Sequence, residues 1–307
     1  MDTRRENEWI SHRYFRTYEI ARRISGIASD PFAYIRDLEE LTGDGGLSDF
    51  LSPWQYDTVV HRFARWIADE MFLDDTAGPY VTRHDLDSPS NTPKRYLPVD
   101  LCLSAYGLWP TIDFEVPERD GDFVYDSRNI RRWQESTAVE DKCYDYFITS
   151  VQLSAPYEDL LDIIADEVFH VVFHNRAVMF GLNDFLARLV SAIDIDEFAD
   201  DDELTGLIAD NGGRLKRVTP KAWARKAVFF RDQGRCVYCG VDLSGLLSTL
   251  SPSHFDHIVP LAHGGLNDVT NLQLLCKPCN LKKSDIKSGT SNWYPRLYTR
   301  PRSRHRS

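Results

Sequence analysis

The sequence predicts an α+β protein in two parts: an acidic, mainly helical region, residues 1–210, and a smaller basic module, residues 211–307. Three observations predict it. Apolar residues recur at spacings of three and four through much of the first part. Short alternating stretches interrupt them. The charge then reverses where the cysteines gather: 19 Lys and Arg stand against 42 Asp and Glu up to Asp210, and 17 against 5 from Asn211 onward. A compact basic segment is the electrostatic footprint of a phosphate-backbone binder, because each neutralised phosphate releases counterions. The acidic part would repel DNA.

From residue 5 to 75, positions such as Tyr14, Tyr18 and Ala21, then Val60, Phe63, Ala64 and Ile67, mark helices, with a turn-rich break at Gly43-Asp44-Gly45-Gly46. Residues 77–98, with Pro79, Pro89, Pro93 and Pro98, read as an exposed loop. Residues 99–127 alternate enough to suggest one or two short strands, and Tyr157 to Arg176 is apolar all round and reads as a buried helix. A further helix is expected from Asn183 to Ala192, before an acidic run and Asn211-Gly212-Gly213, which sets the domain boundary. Beyond it, Thr219 and Pro220 supply a helix start and Gly234 a stop. That helix displays Lys221, Arg225, Lys226 and Arg231 beside Trp223, Val228 and Phe229, so it could both pack and touch phosphates.

No run of 18 apolar residues exists to cross a bilayer, and the first residues lack the apolar core of a secretory signal, so the expected location is the cytoplasm, with no membrane partner. A reducing compartment favours metal over disulfides. Cys236-Val237-Tyr238-Cys239 and Cys276-Lys277-Pro278-Cys279 are two knuckles whose spacing lets both thiolates of each turn point at one tetrahedral zinc. Four thiolates make a closed, structural site, which stabilises small zinc domains by about 10 kcal/mol or more. The residues between the knuckles are too many for a simple ribbon and must form a structured unit.

Between them stand His254-Phe255-Asp256-His257, then His263-Gly264-Gly265, then Asn271-Leu272-Gln273, running into the second knuckle and Asn280-Leu281-Lys282-Lys283. From Arg225 to Asp285 this pattern resembles the HNH endonucleases. The resemblance implies a ββα-metal fold and a divalent-metal-dependent phosphodiester hydrolase acting on double-stranded DNA. In that reading His257 is the general base, and Asp256 ligates a catalytic Mg²⁺ or Mn²⁺. Asn271 holds the His257 imidazole or its loop through its side-chain amide. The family's third position, often histidine, corresponds to Asn280, whose carbonyl oxygen still suits a hard cation, making a His-Asn-Asn variant. Lys283, one helical turn beyond Asn280, and Lys282 are expected to contact phosphate, with Arg225, Lys226 and Arg231. His254 and His263 are weaker candidates.

The C-terminal Arg296, Arg300, Arg302, Arg304 and Arg306, near Trp293, Tyr294 and Tyr298, suggest further DNA contact. Glu167, His170 and His174 share a helix face but read as packed or partnered residues. Residues 1–210 are expected to recognise a partner or signal, mediate self-assembly, or shield the basic face. The plan resembles effectors of anti-phage defence. The competing expectation is a catalytically silent zinc-dependent DNA-binding or interaction module.

Overall fold

The computed structural model describes residues 3–43, 46–84, 93–108, 114–193, 202–209, 213–246, 251–284 and 288–294. In chain order it forms α1 (Thr3–Ser29), α2 (Ile35–Thr42), α3 (Val59–Asp74), β1 (Val81–His84), β2 (Pro93–Tyr96), α4 (Pro98–Ala105), β3 (Gly121–Tyr125) and β4 (Arg131–Glu135). There follow α5 (Thr137–Tyr146), α6 (Ala155–Val172), α7 (Arg176–Ser191), α8 (Asp202–Leu207), α9 (Ala222–Arg231), β5 (Phe255–His257), β6 (Leu272–Leu274) and α10 (Lys277–Lys283). The sheets among these residues are antiparallel pairs, β1 with β2, β3 with β4 and β5 with β6. No described helix is long and apolar enough to cross a membrane.

The chain divides into two compact units, one of Met1–Ile24 with Val60–Val171, the other of Ser25–Val59 with Val172–Ser307. In the first, Ile20 and Ile24 of α1, Val60, Phe63, Ile67 and Met71 of α3, and Leu160, Ile164 and Val168 of α6 are buried. They recur at helical spacing, which is why these segments are helices: each hides one apolar stripe. Within that unit the Glu167 carboxylate accepts from the Thr17 and Tyr106 hydroxyls at 2.7 and 2.9 Å. His170 and His174 are exposed rather than packed.

The stretch expected as a loop, residues 77–98, contains the β1–β2 hairpin; its prolines tolerate this because Pro93 sits at the strand's first position, where no ladder donor is needed. Residues 98–105, where the expected loop passes into the stretch expected to hold one or two short strands, form α4, with Pro98 in the first turn, where a missing N–H costs nothing. Among the described residues of 99–127, the expected one or two strands are met by β3.

The second unit does not begin near residue 210. Its members α7 and residues 25–59 come from the region read as N-terminal, because α7 packs against the C-terminal module. Asn183, fully buried, donates to the Thr270 hydroxyl at 3.0 Å. The loop at Gly264-Gly265 lies directly on α7: a Cβ at Gly264 would meet Ala187 O at 2.2 Å, and one at Gly265 would meet Val259 O at 2.0 Å. Gly264 also has φ +78°, where other residues are strained. A buried ionic cluster completes the join. Asp232, at the end of α9, accepts from Arg176 Nη1 at 3.0 Å, from Arg231 Nε and Nη2 at 2.8 and 3.0 Å, and from the Leu274 amide at 2.9 Å. Arg176 also donates to Ser291 O and Trp293 O. α9 starts at Ala222 with Lys221 as its cap and no side-chain cap bond, two residues later than the Thr219-Pro220 start expected.

Candidate active site

The first knuckle follows α9. Cys236 N donates to Val241 O, Gly240 N returns to Cys236 O at 2.8 Å, and Val237 N donates to Leu274 O, tying the turn to β6. The second knuckle opens α10, with Cys276 at its cap and Pro278 in its first turn. All four cysteine sulfurs lie within 4.8 Å of one another. Sulfurs at the corners of a tetrahedron with Zn–S near 2.3 Å stand roughly 3.8 Å apart, so the cluster is of the size a single zinc requires.

The electrostatics point the same way. Burial opposes the Cys236 thiolate, but the amides of Cys239, Cys276 and Tyr238 outweigh it and bring the thiol down to about 7. Burial and the three neighbouring thiols push Cys279 up. Without a cation the cluster cannot carry four negative charges; a dication removes the conflict.

The unit between the knuckles is a hairpin and a helix. β5 and β6 pair Phe255 with Leu274, Asp256 with Gln273 and His257 with Leu272. A cavity of about 230 Å³ opens at the strand's end, lined by Asp256, His257, Ser253, Asn280, Ser284 and Arg217.

His257 is 3% exposed, and neither ring nitrogen has a hydrogen-bond partner among the described residues. Burial, with the Arg217 and Lys283 charges nearby, pushes the imidazole down from 6.5 to about 3. The neighbour favouring the charged form is Asn267, whose own amide is engaged by Lys216 O and the Val218 amide. Burial and the two cations therefore favour the neutral form of the ring. Trp54, fully buried, covers it with ring centroids 6.1 Å apart.

Asn271 bonds the loop, not the imidazole. Its Nδ2 donates to Val259 O and Leu266 O at 3.0 and 2.9 Å, and its Oδ1 accepts from Val259 N at 2.9 Å. Asp256 Oδ2 accepts from Lys283 Nζ at 2.8 Å and faces Gln273 Nε2 at 3.4 Å. Asn280 Nδ2 donates to Ser253 O at 3.0 Å. Among the described residues, the other Asp256 oxygen and the Oδ1 of Asn280 accept no hydrogen bond, beside the same cavity.

Two expected phosphate contacts are placed otherwise. Lys283 is 4% exposed and spends its ammonium on Asp256 and on His257 O, the latter at 2.7 Å. Arg231 is 1% exposed and locked to Asp232 and Leu272 O. A buried charge must be partnered, so neither is offered to a ligand. Arg225 is half-buried and donates to Pro220 O, whereas Lys226 and Lys282 are exposed. His254 Nδ1 lies 3.1 Å from Leu275 O, and His263 is exposed beside Ser288. Arg296 through Arg306 and Tyr298 fall outside the described residues.

Sequence reasoning missed Trp54, Arg217, Asn267 and Gln273. Gln273 was findable: pairing the two short strands antiparallel puts it opposite Asp256. Trp54 carried no signal, lying some two hundred residues away from the imidazole it covers.

The hairpin, the following helix and the clustered cysteines, with a carboxylate and an imidazole at one cavity, fall within a single short stretch of chain. Residues 236–285 match the model of the HNH endonuclease family. The chain thus carries an HNH endonuclease domain in its C-terminal part, and the rest lies outside the match. Comparison with curated proteins gives no match. Comparison with solved structures gives none either.

Proposed function

We propose that the protein is a divalent-metal-dependent endonuclease hydrolysing the phosphodiester bonds of DNA, with His257 as general base. The observation that carries this is the neutral, buried imidazole with unengaged nitrogens, lining the cavity that Asp256 and Asn280 also line. A general base must be unprotonated, and burial beside the Arg217 and Lys283 charges favours the neutral imidazole. It takes a proton from water as the water oxygen bonds to phosphorus. The ester bond to the departing nucleotide breaks with its electron pair, and the leaving oxygen collects a proton from solvent.

Asp256 and Asn280 fit a hard cation, since each keeps an oxygen free at the cavity; Mg²⁺ or Mn²⁺ bound there would absorb charge developing on the phosphate. Lys283 and Gln273 orient the Asp256 carboxylate. Asn271 fixes the loop after His257. The four cysteines hold a structural Zn²⁺, and the hairpin with α10 makes a ββα-metal fold. Lys226, Lys282 and Arg225 are the remaining candidates for backbone contact. Residues 1–210 would act as a sensor, partner or assembly region in a cytoplasmic effector of anti-phage defence; the reversal of charge along the chain favours such control.

The test is plasmid cleavage by the purified chain with and without Mg²⁺, beside His257→Ala. Wild type should linearise or nick the plasmid only with metal, and the variant should be inert at unchanged zinc content and melting temperature. Retained cleavage by the variant would remove His257 from its role. A wild-type chain inert with every divalent cation would favour the silent binding module.

A further inference from the structure

The site holds a base and oxygen ligands, but the lysine expected to meet phosphate is consumed within the fold. Another cation borders the cavity. Arg217 lines it together with His257, Asp256 and Asn280, is exposed, and has neither a hydrogen-bond nor an ion-pair partner among the described residues. It precedes the segment that matches the HNH model.

Its backbone is not left to wander. Asn267, 4% exposed, donates from Nδ2 to Lys216 O at 2.9 Å and accepts at Oδ1 from Val218 N at 3.4 Å, so both neighbours of Arg217 are held by one amide. Trp54 Nε1 donates to Val218 O at 3.2 Å, and Trp54 N donates to Asn267 O at 2.9 Å. Trp54 sits at φ +55°, a backbone region that a bulky residue adopts only when its surroundings impose it. The same indole covers the His257 ring. One side chain therefore registers the Arg217 segment against the imidazole.

We propose that Arg217 grips the phosphate diester that His257 attacks through water, and that Trp54 and Asn267 aim it; this rests on the nuclease reading above. A guanidinium presents a planar pair of N–H donors matching two phosphate oxygens, and it stays charged throughout, so it can neutralise the diester without exchanging a proton. In a partly enclosed cavity that attraction is stronger than in water and strengthens further as negative charge builds on the phosphate oxygens. Trp54 is a positioning residue here, and Arg217 the one that touches substrate.

The experiment is single-turnover cleavage of supercoiled plasmid by the full-length, zinc-replete chain in Mg²⁺, over a range of protein concentration, for wild type, His257→Ala, Arg217→Ala, Arg217→Lys, Trp54→Phe and the Trp54→Phe/Arg217→Ala double variant. Arg217→Ala should lower the saturating rate by roughly 10²- to 10³-fold with melting temperature unchanged, and Arg217→Lys should recover part of it. Trp54→Phe should slow wild type yet cost nothing further in the Arg217→Ala background, because a cation that is absent cannot be misaimed. If His257→Ala is inert while Arg217→Ala cleaves within a few-fold of wild type at saturation, or only its half-saturating concentration rises, the Arg217 proposal falls and the nuclease reading stands. Fully additive losses in the double variant would overturn the aiming role. An inert wild type would overturn the nuclease reading and this proposal together.

Discussion

Replacing Asp232 with alanine should unfold the second unit at a markedly lower temperature. The carboxylate accepts four bonds, three from the guanidinium groups of Arg176 and Arg231 and one from the Leu274 amide, and the three ionic side chains are at most 2% exposed. Removing it leaves two cations buried without their anion, and breaking such a pair costs about 3–5 kcal/mol. For a unit of this length, where 1 kcal/mol moves the midpoint by roughly 2–4 °C, the expected fall is about 6–20 °C. Asp232→Asn, which keeps one acceptor oxygen but not the charge, should fall between. Because Leu274 pairs with Phe255 across the hairpin, cleavage should be lost at temperatures below that of global unfolding. The assay is a calorimetric scan with plasmid cleavage measured at matched temperatures. An alanine variant melting within about 2 °C of wild type, equivalent to about 1 kcal/mol or less, would refute the claim that this cluster holds α7, α9 and β6 together.

Three further outcomes follow from the same geometry. Cys236→Ser should lose bound zinc, measured by atomic absorption, and with it a stabilisation on the order of 10 kcal/mol; a folded variant with full zinc would contradict the staple. Gly264→Ala forces a Cβ toward Ala187 O at a positive φ and should destabilise by about 2 kcal/mol or more, seen as a lower urea midpoint; an unchanged midpoint would mean the loop does not press on α7. Asp100 is buried, which pushes its carboxyl up to about 7 against the Tyr146 hydroxyl and the Leu97 amide. Since the folded pKa is the higher one, its contribution is full below pH about 4 and is lost as pH rises to about 7. Wild type should therefore lose up to about 4 kcal/mol across that window. Asp100→Asn should flatten the slope in urea titrations at each pH; an identical slope would exclude the carboxyl as its source.

The cysteine pairs and the stretch from Asp256 to Asn280 were legible because their chemistry fixes spacing: two thiolates per knuckle, alternate side chains on a strand, an amide just before the returning strand. Charge was less informative. Lys283 and Arg231 count as basic residues in the sequence, but burial beside Asp256 and Asp232 turns them into internal fasteners. Nothing local separates them from Arg217, whose openness depends on where Asn267 and Trp54 pin its neighbours. Proline misled at residues 93 and 98, each standing at the one position of its strand or helix where no N–H is called for. The boundary near 210 marked a change of composition, which is a different thing from a change of packing.

The discontinuity of the second unit sets an order of events during synthesis. Trp54 leaves the ribosome early, yet the imidazole it covers and the lysine that steadies Asp256 come more than two hundred residues later. At roughly 5–20 residues per second, the indole waits ten seconds or more for its counterpart. A nascent chain released before residue 257 would lack the imidazole, the lysine and the second cysteine pair alike.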